Sequence, residues 1–287
     1  MKKVFFKCLD FLLFSNIFIA LGAVAQGLLT YRMLNLQPSP LVCGFLFFAT
    51  LSTYSFCILT NKPANYLNSP HSRILWFFTH HRLNIILTIL SSLALIPLFL
   101  MLGSASQILM VFLGLVSVAY SLPLTVGKRV FCLRHIGGLK LFIIAFVWSV
   151  AIVWFPVSEA NINIPAREII ILISKQFVFY IALTLPFDIR DLFEDRASNL
   201  KTLPTIFGSK KAYFLSFILL IMHVILLACS QTVGYDTYFW TSILSVLLAA
   251  WLIWKSKSRN SQYYYFLFLD GVLIAQYVFL LMLDWWL

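Results

Sequence analysis

Apolar residues run along this chain in long unbroken stretches, not in the alternating or 3.6-residue patterns of half-buried elements. Nine such stretches can be drawn, at about residues 12–33, 38–60, 83–102, 105–124, 138–157, 167–187, 212–231, 237–254 and 263–286. Each is close to the roughly 20 residues a helix needs to cross the hydrocarbon core of a bilayer. Polar residues gather in the connections, two of which are long, at about 61–82 and 188–211. The pattern predicts an all-α, polytopic membrane helical bundle of about nine transmembrane helices, with residues 1–287 forming a single domain. Any chemistry is expected in the two long connections.

Composition sharpens this picture. The chain has 287 residues, of which 61% are hydrophobic and 11% charged, and its mean hydropathy is +0.93. A soluble domain carries about 25% charged residues, so a water-soluble globule is excluded. Disorder, which needs low hydrophobicity and high charge, is excluded as well. The net charge of +11 would suggest nucleic acid in a soluble protein. Here the basic residues lie between apolar stretches, and with the N-terminus placed in the cytoplasm 18 of the 21 fall on the cytoplasmic side. The positive-inside rule accounts for that asymmetry, and no nucleic acid is called for. Compact loops and the lack of an organelle presequence suit a bacterial cytoplasmic membrane. Lys2, Lys3 and Lys7 followed by Ala23-Val24-Ala25 have the look of a secretory leader, but the apolar run continues to Leu34 and carries Asn16. It is read as the first helix. The five cysteines show neither a CxxC pair nor metal spacing and are read as reduced.

The connection after the sixth stretch holds four of the ten acids, Asp188, Asp191, Glu194 and Asp195. Asp188, Asp191 and Asp195 are spaced i, i+3, i+7, which puts three carboxylates on one face of a helix. Like charges so placed call for a cation. Hard carboxylate oxygens on a half-open face suit Mg²⁺, which shares its coordination shell with substrate phosphates. Arg190, Arg196 and Lys201 would add contacts to phosphate oxygens. The alternative is that these acids make surface ion pairs with nearby basic residues. Spacing alone does not choose between the two.

The run Asp188-Ile-Arg190-Asp191, then Asp195-Arg196 and Thr202-Leu-Pro204, resembles the second aspartate-rich motif of the UbiA superfamily of intramembrane prenyltransferases. Tyr120-Ser-Leu-Pro123 with Lys128-Arg129 is similar to that family's segment at the end of helix four, and Asn16 is a weaker match in helix one. The resemblance spans nearly the whole chain. It implies a UbiA-like bundle with a central cavity, in which Asp188, Asp191 and Asp195 hold Mg²⁺ and act in catalysis. Asn16, Asn61, Lys62, Tyr120, Lys128, Arg129 and Arg190 would bind substrate. The reaction implied is transfer of a prenyl group from a polyprenyl diphosphate to an aromatic or lipid acceptor.

The chain departs from the family in the first motif, which reads Asn-Asp-x-x-Asp-x-x-x-Asp. The matching stretch here is Asn61-Lys62-Pro-Ala-Asn65-Tyr-Leu-Asn68-Ser69, so its three aspartates become Lys62, Asn65 and Ser69. Amide oxygens are poor Mg²⁺ ligands. This points to a reduced metal site, with Lys62 pairing with the diphosphate as a point charge in place of a metal, or serving only as a positive-inside residue. A second reading follows: a pseudoenzyme of the same fold that binds an isoprenoid or lipid without turnover. Two ionisable groups lie within apolar stretches, Lys175 and Asp270, which pair with each other or face the cavity. His71, His80 and His81 read as solvated anchors.

Overall fold

The computed structural model describes residues 2–63, 66–68, 71–122, 124–126, 129–131, 138–197, 200–230, 237–259 and 261–286. The predicted spans appear as α2 (Ile17–Met33), α3 (Pro40–Thr60), α5 (His81–Leu100), α6 (Ser104–Ser121), α7 (Leu139–Ala160), α8 (Ala166–Arg190), α11 (Ser209–Cys229), α12 (Thr237–Ser256) and α13 (Gly271–Trp286). Eight of the described helices are long and apolar enough to cross a membrane, with α13 counted from Tyr264, and a bent pair makes a ninth. The protein is therefore a multi-pass, all-α integral membrane protein.

The bent pair corrects the first boundary. The expected first helix began near residue 12, but residues up to Phe14 belong to a separate helix, α1 (Lys2–Phe14), which meets α2 at 61°. The break falls at Ser15-Asn16, and Asn16 adopts φ 71°. Asparagine tolerates this left-handed conformation far better than the apolar residues around it.

The long connections carry structure of their own. Between α3 and α5 lies α4 (Ser72–Thr79), and between α8 and α11 lie α9 (Leu192–Ala197) and α10 (Leu203–Phe207). Helix α6 ends at Ser121 and not at 124, because Leu122 precedes a proline and is extended, with ψ 140°. A short antiparallel hairpin follows, β1 (Leu124–Val126) and β2 (Arg129–Phe131), in the register Leu124 to Phe131. The chain enters α13 through a π-helical turn, Tyr264–Leu269, where the Asp270 N–H reaches the Tyr265 carbonyl at 3.1 Å.

Helices α7 and α8 form the centre of the bundle. Phe179, Ile181, Leu183 and Leu185 of α8 pack with Leu141 and Ala145 of α7, Leu220 of α11 and Leu252 of α12. Helices α5 and α6 are peripheral, with Ile86, Ile89, Leu93, Ile108 and Leu115 exposed. An outward apolar face of this kind is a lipid-facing surface. One polar seam crosses the core. Gln26 donates to the Leu273 carbonyl at 2.9 Å and to Gln276 at 3.1 Å, and its Oε1 accepts from Gln176 and Tyr180. In hydrocarbon such groups must satisfy one another, so this hub ties α2, α8 and α13 together.

Candidate functional site

A cavity of about 740 Å³ opens among α3, α4, α6, α7 and the α8–α9 junction. Its inner end is lined by Tyr54, Ile144, Val147 and Trp148. Tyr54 and Trp148 meet edge to face at 6.4 Å, and Trp148 meets Tyr180 at 5.5 Å, which closes that end with rings. The mouth is polar and carries Asn61, His71, Arg73, Lys140, Asp191 and Asp195. The two long connections thus meet at one place.

The acidic cluster does not lie on one continuous helix. Helix α8 stops at Arg190, Asp191 caps it, and α9 starts at Leu192. The turn still keeps the carboxylates together, since Asp191 N–H reaches the Phe187 carbonyl at 3.0 Å and Asp195 N–H reaches that of Asp191 at 2.9 Å. Asp188 is 2% exposed and does not line the cavity. Its Oδ1 accepts from the Lys140 Nζ at 2.9 Å. Arg190 grips Asp191 with two bonds, 2.7 Å from Nε and 3.0 Å from Nη2, and its guanidinium lies over the rings of Tyr265, Phe187 and Phe266. It sits behind the wall and not in the cavity. Asp195 is 8% exposed and lines the cavity, and its Oδ2 has no hydrogen-bond partner among the described residues. Burial pushes the Asp195 carboxyl above its ordinary range, Lys140 opposes this, and Asp188 and Asp191 add to it.

The segment leading into α10 is held by its own sequence. Thr202 N–H donates to Thr205 Oγ1 at 2.8 Å, a capping box that starts α10 with Pro204 in its first turn. The Gly138 N–H reaches the Lys201 carbonyl at 2.9 Å, which ties this segment to the start of α7.

On the other wall, Asn61 lines the mouth and donates to the Cys57 carbonyl at 2.8 Å and the Ser121 carbonyl at 3.3 Å, joining the ends of α3 and α6. Tyr120 also lines the cavity. Asn16 does not. It is fully buried behind Arg73, accepting from the Arg73 guanidinium and donating to Ser55 at 2.9 Å. Lys62 does not line the cavity either, because its ammonium lies over the rings of Tyr66 at 4.9 Å and Phe78 at 5.3 Å. The structure removes it from the place expected for a metal substitute. Lys128 and the side chain of Arg129 lie outside the described residues, as do Asn65 and Ser69.

Tyr54, Lys140 and Trp148 of the cavity went unassigned in the sequence, which offered Arg73 only as a helper to Lys62 at the diphosphate. Arg73 is half-buried, lies 4.8 Å from the Phe266 ring centroid and reaches the cavity. Burial lowers its pKa, and Asp270 is the main opposing influence. Asp270 therefore interacts electrostatically with Arg73 and Arg190, while Lys175 donates to Tyr238. His71 is no solvated anchor: it contacts Glu194 at 2.6 Å and Gln262 at 2.9 Å. A histidine in one long connection and an acid in the other were the one signal available for that contact.

Fit to a divalent ion can be judged from these donors. Among the described residues no three His, Cys, Asp or Glu side chains converge closely enough to hold a metal. The unpartnered Asp195 oxygen and the adjacent Asp191 carboxylate, held from behind by Arg190, are the carboxylate donors on this wall that fit Mg²⁺, whereas Asp188 pairs with Lys140 and does not line the cavity.

The UbiA prenyltransferase family model matches residues 79–271. No curated protein is detectably similar to the chain in sequence. Among solved structures, a UbiA homologue from Archaeoglobus fulgidus bound to DMAPP and Mg²⁺ is similar with a TM-score of 0.66 at 14% identity, over 97% of this chain and 99% of that one. An apo UbiA homologue from Aeropyrum pernix K1 gives a TM-score of 0.64 at 13% identity, over 94% and 96%. A structure described for digeranylgeranylglyceryl phosphate synthase gives 0.57 at 16% identity, over 99% and 98%. At these identities the likeness is one of fold. Fold, cavity and family match agree: the chain belongs to the UbiA prenyltransferase family.

Proposed function

We propose that the protein is an intramembrane prenyltransferase, a single domain that moves a prenyl group from a polyprenyl diphosphate to an aromatic or lipid acceptor. The observation that carries this reading is the two-ended cavity, aromatic and apolar inside and charged at the mouth. That division suits an amphiphile with a hydrocarbon tail and an anionic head. A homologue of the same fold is seen with DMAPP and Mg²⁺, which supports the substrate class.

Arg73 and Lys140 would contact the diphosphate oxygens through charge-assisted hydrogen bonds. Asp191 and Asp195 would hold Mg²⁺, which when bound neutralises the developing charge of the leaving diphosphate. The faces of Tyr54 and Trp148 would shield the allylic cation, and the closed inner end would exclude water from it. The mouth and the N-terminus would face the cytoplasm of a bacterial cell, in line with the basic side chains gathered at that end.

The purified protein in detergent tests this with labelled geranylgeranyl diphosphate and a membrane extract as the source of acceptors. Release of diphosphate is expected in Mg²⁺, abolished by EDTA, and reduced roughly 100-fold or more in Asp191→Asn, the scale on which one charge-stabilising group contributes to catalysis. The ion pairs Lys140–Asp188 and Arg190–Asp191 favour a second reading, a non-catalytic binder, since they leave few carboxylates free. Binding without release would select it. Absence of binding would refute both.

A further inference from the structure

Three carboxylates in consecutive helical turns repel one another unless a cation sits among them. In this protein the cation is part of the chain. Lys140, the second residue of α7, places its Nζ 2.9 Å from Asp188 Oδ1, and its electrostatic partners include Asp188, Asp191 and Tyr120. Asp195 faces it as well. Its backbone is fixed at both sides of the site: Gly138 takes φ 75° and hydrogen-bonds the Lys201 carbonyl, while α7 packs along α8.

The remaining donors are few. Asp191 and Asp195 line the cavity; Arg190 takes one lone pair of each Asp191 oxygen from behind the wall and leaves the others, and Asp195 Oδ2, on a side chain more than nine-tenths buried, lacks a partner among the described residues. Glu194 lines it too but contacts His71. The facing wall offers Asn61, whose amide N–H groups go to backbone carbonyls, and Lys62 is turned onto Tyr66 and Phe78.

We propose that Lys140 is the built-in cation of this cluster, that Asp188 is its counter-ion and not a metal ligand, and that the site takes a single divalent ion, on Asp191 and Asp195. This rests on reading the cavity as a diphosphate site. A fixed ammonium supplies one charge where a second metal ion would supply two. It also cannot be removed by a chelator.

Mn²⁺ provides the probe. The full chain in detergent, with inorganic pyrophosphate present, is titrated with Mn²⁺ and the bound ion counted by electron paramagnetic resonance. One ion per chain is expected, and two or none would overturn the proposal. Asp188→Asn is expected to leave the Mn²⁺ affinity within threefold, whereas Asp191→Asn weakens it at least tenfold. Equal losses in the two variants would overturn the assignment of Asp188. Lys140→Met frees Asp188 and is expected to admit a second Mn²⁺. If that variant does not fold, the wild-type count and Asp188→Asn still decide the matter. Diphosphate release is scored separately, so one bound Mn²⁺ without turnover would sink the enzymatic reading and leave this one standing.

Discussion

Asn16 fills a position where backbone and side chain are both constrained. Its φ of 71° is a conformation that costs an ordinary L-residue about 1–2 kcal/mol, and its amide bridges Arg73 and Ser55. Two variants separate these roles. Asn16→Gly keeps the backbone and loses the amide; Asn16→Ala loses both. Thermal unfolding in detergent, followed by tryptophan fluorescence, should place Ala below Gly, by about 1 kcal/mol in stability. Coincident melting curves would mean that the turn stores no strain. Sequence reading marked Asn16 as odd within an apolar run but could not supply its partner. Arg73 is 57 positions away, and the sequence offered it as a helper at the diphosphate with nothing to tie it to Asn16. The same holds for Lys140, which at the start of an apolar stretch resembles an interface anchor until its distance to Asp188 is known.

The spans were legible in the sequence because a bilayer imposes their length, and α8 and α12 end within about three residues of where the apolar runs predict. What hydropathy could not show was how the helices are interrupted. The bend between α1 and α2 has apolar residues on both sides. The π turn before Asp270 depends on a hydrogen bond, and α4 is an apolar run too short to span, set within a connection that reads as loop. The junction between Gly138 and Lys201 is another such feature. A Cβ at Gly138 would find ordinary space, the nearest atom being in Leu203 at 3.6 Å, so the penalty there is conformational. Gly138→Ala should lower stability by about 1–2 kcal/mol, and Gly138→Asn by less, because asparagine visits this conformation more readily. Denaturation of both variants in detergent checks the order. A larger loss for Asn than for Ala would contradict the assignment.

At the scale of the molecule, the cavity depends on the whole bundle, since its walls come from both long connections and from three membrane helices. Its depth ends at Trp148, wedged between Tyr54 and Tyr180. Tyr120 was the one aromatic the sequence placed here; Tyr54 and Trp148 were hidden among 28 Phe, 12 Tyr and 8 Trp, most of which a membrane protein needs for other reasons. Trp148→Ala should lengthen the apolar end. Comparing kcat/KM for geranyl, farnesyl and geranylgeranyl diphosphates, the variant should shift toward the longest by roughly tenfold relative to wild type, the scale of burying one or two more methylene groups. An unchanged ranking would show that chain length is set elsewhere.

The bend at Asn16 also sets where the protein rides in the bilayer. Val4, Phe5, Phe6 and Phe11 leave α1 with an exposed oily flank, while Leu13 and Phe14 are buried, with Phe14 against Trp76 and Phe266. A helix of that kind floats along the headgroup boundary. Trp76 belongs to α4, the same short helix that carries Arg73. The float and the mouth of the cavity are therefore rigidly geared. The waterline of the membrane, and not its midplane, is the reference from which this protein measures the height of Arg73 at the cavity mouth.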